Sequence, residues 1–80
     1  MITIKLYGLI REQCGLERLQ VEASTVREAM EQASLNGIEK TLFKDAIIFV
    51  NKKQLSGLSR FSYKLKDGDE ISLLSALGGG

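Results

Sequence analysis

The chain contains no histidine, no proline and a single cysteine, Cys14. Without histidine it lacks the commonest general base, the partner of Ser-His and Cys-His nucleophile couples, and the commonest metal ligand. Cys14 is therefore without the usual neighbour that makes a catalytic thiolate. It has no partner for an internal disulfide and offers no thiolate zinc site. It reads as a small, partly buried filler beside Gly15, and a lone thiol suits a reducing, cytoplasmic setting. No Walker-type or dinucleotide-binding glycine pattern occurs. No apolar run approaches membrane-spanning length. The apolar residues at the N-terminus alternate with polar ones, so they do not build a signal-peptide core. Net charge is +1, which gives no electrostatic claim on nucleic acid or on an anionic membrane. A chain of 80 residues is one small domain with limited burial. These absences predict a chain that is not itself an enzyme and binds no metal or cofactor.

What is present reads as alternating strands around one amphipathic helix. Ile2, Ile4 and Leu6 alternate with Thr3, Lys5 and Tyr7, a strand with one buried face ended by Gly8. Residues 11–15 read as a polar connection with at most one helical turn. Leu19 and Val21 mark a second strand, antiparallel to the first. Thr25-Val26-Arg27-Glu28 is a capping box: the Thr25 hydroxyl accepts from the Glu28 amide, and the Glu28 side chain reaches back to the Thr25 amide. Val26, Ala29, Met30 and Ala33 form the apolar stripe of the helix that follows, which Asn36-Gly37 ends.

Residues 38–45 read as irregular. Ile47-Ile48-Phe49-Val50 is a short apolar strand. Residues 51–54 form a turn, where the Lys52-Lys53 pair reads as solvated, and Leu55 begins an edge strand. Residues 56–64 form a surface loop with Leu58 and Phe61 tucked down. Lys66-Asp67-Gly68-Asp69 is a turn with Gly68 at positive φ; too few ligands converge there for calcium or magnesium. Glu70 to Ser75 is the last strand. The expected architecture is α+β, a mixed sheet of four to five strands with one main helix on one face. The first and last strands lie side by side at its centre.

The chain finishes Leu77-Gly78-Gly79-Gly80. Glycine has nothing to bury and loses the most freedom when ordered. Such an end is either a plain flexible terminus or a thin thread that carries the Gly80 carboxylate into a narrow tunnel. The domain is thus read as 1–75, with a flexible tail at 76–80. At full extension that tail reaches about 17 Å.

Three local patterns give the chain a family likeness: the first strand followed by Arg11-Glu12-x-x-Gly15, the Lys66-Asp67-Gly68-Asp69-Glu70 turn into an apolar strand, and the terminal Gly79-Gly80. Together the chain resembles the ubiquitin-like β-grasp sulfur carriers of the MoaD and ThiS family. Its length and its Arg-Glu-x-x-Gly loop are most similar to MoaD, the small subunit of molybdopterin synthase. It departs from MoaD-like chains in having Ser75 and Ala76 where prolines are common, and Gly78 falls where such chains vary.

The resemblance implies a mechanism. A ubiquitin-activating-type adenylyltransferase (ThiF-like), using ATP with magnesium, adenylates Gly80, and the adenylate becomes a thiocarboxylate. The charged tail then gives its sulfur to a pterin precursor in a MoaE-like large subunit of molybdopterin synthase. Gly79 and Gly78, with Leu77 before them, would thread into the partner. Sulfur carriage for thiamine or cysteine synthesis stays open, as does a ubiquitin-like modifier joined to target lysines through Gly80. So does a plain binding module with an unused tail.

Alternation also predicts a docking face. If Ile4, Leu6, Ile48, Val50, Ile71 and Leu73 face the helix, then Tyr7, Ile47, Phe49 and Leu74 face away. On neighbouring strands these would form an exposed apolar patch near the tail, the kind that marks partner sites. The alternative is that the 56–64 loop covers Ile47 or Phe49.

Overall fold

The computed structural model describes residues 1–75 of the chain. Five strands form one mixed sheet: β1 (Ile2–Leu6), β2 (Arg18–Val21), β3 (Ala46–Val50), β4 (Lys53–Leu55) and β5 (Glu70–Ser75), in the spatial order β2-β1-β5-β3-β4. β1 and β5 are parallel at the centre, with Ile4 level with Ile71 and Leu6 level with Leu73. The other pairings are antiparallel. Parallel neighbours need a crossover, and α2 (Val26–Leu35) lies in the long connection that supplies it. This is the β-grasp arrangement.

One face of the sheet is covered. Ile2, Ile4, Leu6, Ile48, Val50, Ile71 and Leu73 are all buried, and they share one cluster with Val26, Ala29, Met30 and Ala33 of α2. The helix forms because its apolar residues recur at helical spacing and its start is capped. Glu28 donates its amide to the Thr25 hydroxyl at 3.1 Å. The Glu28 carboxylate departs from the predicted box. It accepts from the Ser24 amide at 2.7 Å and the Ser24 hydroxyl at 2.6 Å. One residue further out, Ser24 presents its amide and its hydroxyl to the same carboxylate oxygen.

Two helices stand where the sequence reads as connection. α1 (Gly8–Cys14) follows β1 directly, so Gly8 opens a helix rather than simply ending a strand. Ile10 anchors it in the core, and Gly15 closes it at φ 73°, a left-handed position that glycine occupies without a Cβ clash. α3 (Lys40–Asp45) replaces the expected irregular stretch. Its Phe43 and the preceding Ile38 are fully buried, and packing holds this short, uncapped helix.

At β4 the two-residue turn Asn51-Lys52 lets the strand start at Lys53 and end at Leu55. The 56–64 stretch contains a 3-10 helix, Leu58–Ser62. Phe61 is buried there as expected, but Leu58, the first residue of that helix, is 86% exposed. Asp67 pairs with the Met1 ammonium. Asp69 accepts from the Lys66 amide at 2.8 Å and from Asn51 Nδ2 at 3.2 Å. Both acids serve the turn.

Candidate functional site

β5 runs to Ser75, the last described residue. Ile71, Leu73 and Ser75 point to the covered face, Ser72 and Leu74 to the uncovered one. Leu74 stands directly across from Ile47 of β3, and Ser72 across from Phe49. Ile47, Phe49 and Leu74 are partly exposed and lie outside the core cluster. Tyr7 sits one step beyond the Leu6–Leu73 pair, donates its amide to the Leu73 carbonyl at 3.1 Å, and is 41% exposed. The structure therefore brings these four predicted residues to one corner of the sheet, beside the last described residue.

The 56–64 segment does not cover them. Its Phe61 belongs to the core on the helix side, and the Tyr63 carbonyl accepts from the Val26 amide at 3.1 Å. The Arg60 guanidinium ties the same segment to the Lys44 carbonyl at the end of α3, at 2.8 Å. The helix-free face is left open among the described residues. Leu77, Gly78, Gly79 and Gly80 lie outside the described residues.

On the covered side, Ser75 borders a cleft of about 220 Å³ lined by Leu9, Ile10, Gln13, Leu42, Asp45 and Ala46. The end of β5 is thus flanked by two apolar surfaces, the cleft between α1 and α3 and the sheet corner. Sequence reasoning missed the cleft because it missed both helices. The available signal was Ile10 and Cys14 four apart, followed by Gly15, and Ile38 and Phe43 at the N′ and N4 places of a hydrophobic staple.

Burial, and then the nearby Glu39 carboxylate, pushes the Cys14 thiol up from its ordinary value, which favours its protonated form. What the arrangement offers is presentation: a strand end beside an apolar face of a rigid sheet.

Residues 4–80 match the model of the ThiS family. No curated protein matches the sequence. Among solved structures, the chain is similar to one in the BexX/CysO complex of Amycolatopsis orientalis, at 22% identity over 100% of each chain and a TM-score of 0.78. It is similar to one in the complex of subunits 1 and 2 of molybdopterin-converting factor from Helicobacter pylori, at 25% identity over 99% of this chain and 97% of that one, TM-score 0.71. It is also similar to small archaeal modifier protein 1 from Methanosarcina acetivorans, at 26% identity over 99% and 95%, TM-score 0.71.

Proposed function

The chain belongs to the ThiS family, and from that premise we propose that it is a sulfur carrier whose working end is Gly79-Gly80. The observation that carries this reading is the extent of the family match. It runs to residue 80 and so includes the glycine end together with the folded body. In this reading an adenylating enzyme of the ubiquitin-activating type binds ATP with magnesium. The Gly80 carboxylate attacks the α-phosphate and pyrophosphate leaves. A carboxylate alone is a poor electrophile; AMP gives it a leaving group. A sulfide equivalent then displaces AMP and leaves a thiocarboxylate. Gly79 keeps the thread narrow, and the corner of Tyr7, Ile47, Phe49 and Leu74 holds the body against the partner.

For the acceptor we propose the pterin precursor of the molybdenum or tungsten cofactor, with this chain as the small subunit of a two-subunit synthase. The likeness to the Helicobacter pylori complex supports that choice. The modifier reading, in which Gly80 forms an amide with a target lysine, draws on the likeness to small archaeal modifier protein 1. Co-expression with the adenylating enzyme, followed by intact-mass measurement, tests both. The wild type should gain the mass of sulfur replacing oxygen. A chain lacking Gly80 should not, while melting at the same temperature. Larger conjugates without that gain would favour the modifier. An unchanged mass without conjugates would overturn both readings.

A further inference from the structure

The open face is not uniformly apolar. The strand register sets one row across it: Arg18 of β2 opposite Lys5 of β1, Lys5 level with Ser72 of β5, and Ser72 opposite Phe49 of β3. Arg18 and Lys5 are two cations directly opposite each other on an antiparallel pair, an arrangement that destabilises a sheet. The fold offsets it for Lys5 only, whose ammonium lies 3.1 Å from a Glu70 carboxylate oxygen toward β5. Among the described residues, no carboxylate lies within ion-pair distance of the exposed Arg18. Arg11 adds a third cation to the same recess of about 180 Å³, held 3.5 Å from Glu17, with Tyr7 on its wall.

We propose that the β1–β2 half of this face is an electrostatic docking surface for acidic side chains on the adenylating enzyme, continuous with the apolar corner that anchors it. The inference rests on the sulfur-carrier reading and adds to it the chemistry of the partner. Three points favour a protein carboxylate patch over a polyanion. The basic row shares a sheet face with an apolar corner, which is protein-interface chemistry. Net charge is only +1. Two of the three cations are already half-neutralised by Glu70 and Glu17, so the field is local and suits a few opposed carboxylates rather than a chain of phosphates. A cation left unpaired beside another cation is what electrostatic steering uses: it costs the free fold stability and speeds encounter.

The test combines two readouts. Association of the purified protein with the adenylating enzyme of the same organism is followed by stopped flow from about 50 mM to about 500 mM NaCl, across which the screening length shrinks severalfold. Melting of the free protein is measured alongside. Arg18→Glu should slow association roughly tenfold at low salt, with the difference collapsing at high salt. The same change should raise the free protein's melting temperature by about 2–4 °C, because Glu opposite Lys5 replaces a repulsive pair. Phe49→Asp serves as the control and should accelerate dissociation at every salt concentration. If Arg18→Glu associates like wild type while Phe49→Asp fails, the electrostatic half is overturned and the apolar docking reading stands. If neither variant differs from wild type, or wild type does not associate, both readings fall. If a labelled single-stranded RNA of about 20 nucleotides binds wild type and Arg18→Glu releases it, the row is a polyanion site and the inference is overturned.

Discussion

Asn51 holds the turn between β3 and β4 at φ 56°, a region that asparagine enters more readily than most residues. From there it braces the start of β5. Its amide donates to the Glu70 carbonyl at 2.7 Å, its Oδ1 accepts from the Glu70 amide at 3.1 Å, and its Nδ2 reaches Asp69. The Lys66 amide, and then the Asn51 side chain, hold the Asp69 carboxyl below the ordinary aspartate range. The Ser24 hydroxyl and amide do the same for Glu28 at the start of α2. Both groups are more acidic in the folded chain than in the unfolded one. Their stabilisation is therefore fully present above the unfolded carboxylate values, near pH 4, and is lost as pH falls through the lower folded values. Melting from neutral pH down to about pH 2 should show a loss beginning near pH 4. Asp69→Asn combined with Glu28→Gln should melt lower at neutral pH and show a shallower acid limb. Matching acid limbs would show that these hydrogen bonds add nothing. At this scale the sequence was informative about local chemistry. The Thr25 cap and the turn role of the aspartates were legible, because each depends on near neighbours, and Cys14 is partly buried as expected. The Asn51–Glu70 bracket was not, since it joins residues far apart in the chain.

Elements divide in the same way. β1, β3, β5 and α2 carry their own periodicity, and the pattern of apolar residues located them. α1 and α3 do not. α1 has a single buried residue, Ile10, and no side-chain cap; α3 has six residues, one buried side chain and no cap. An isolated helix of that length is marginal in water, so each exists because the sheet gives Ile10, Phe43 and Ile38 somewhere to go. Phe43 is the clearest test, being the largest fully buried side chain and lying in a segment whose local signal is weak. Phe43→Ala should cost about 3–5 kcal/mol and Leu73→Ala about 2–5 kcal/mol, measured by urea unfolding. For a domain this small that is a large share of total stability. A loss near zero for Phe43→Ala would mean that α3 is not docked as described.

At the scale of the whole molecule, the two faces of the sheet are set by one register. Five residue pairs, from Ala46 opposite Ser75 to Val50 opposite Ile71, fix β3 against β5. A slip of β5 by one residue would expose Ile71 and Leu73 and bury Leu74. Because strand alternation is strict, the partition into core and open face could be read before any coordinates. Which surface the 56–64 segment covers could not, since that depends on Phe61 finding the helix side. The consequence is testable in the folded domain. Phe49 and Leu74 stand outside the core, so Phe49→Asp and Leu74→Asp should leave circular dichroism and melting close to wild type. Each should nevertheless weaken binding to the proposed adenylating enzyme or synthase large subunit by at least tenfold, about 1.4 kcal/mol. A carboxylate on an apolar contact must be desolvated when the partner closes over it, and no cation among the described residues stands between these two positions to offset that. If the variants unfold, the residues are core and the open face is covered. If they fold and bind normally, the partner uses another surface, and the cleft between α1 and α3 at the end of β5 becomes the place to look.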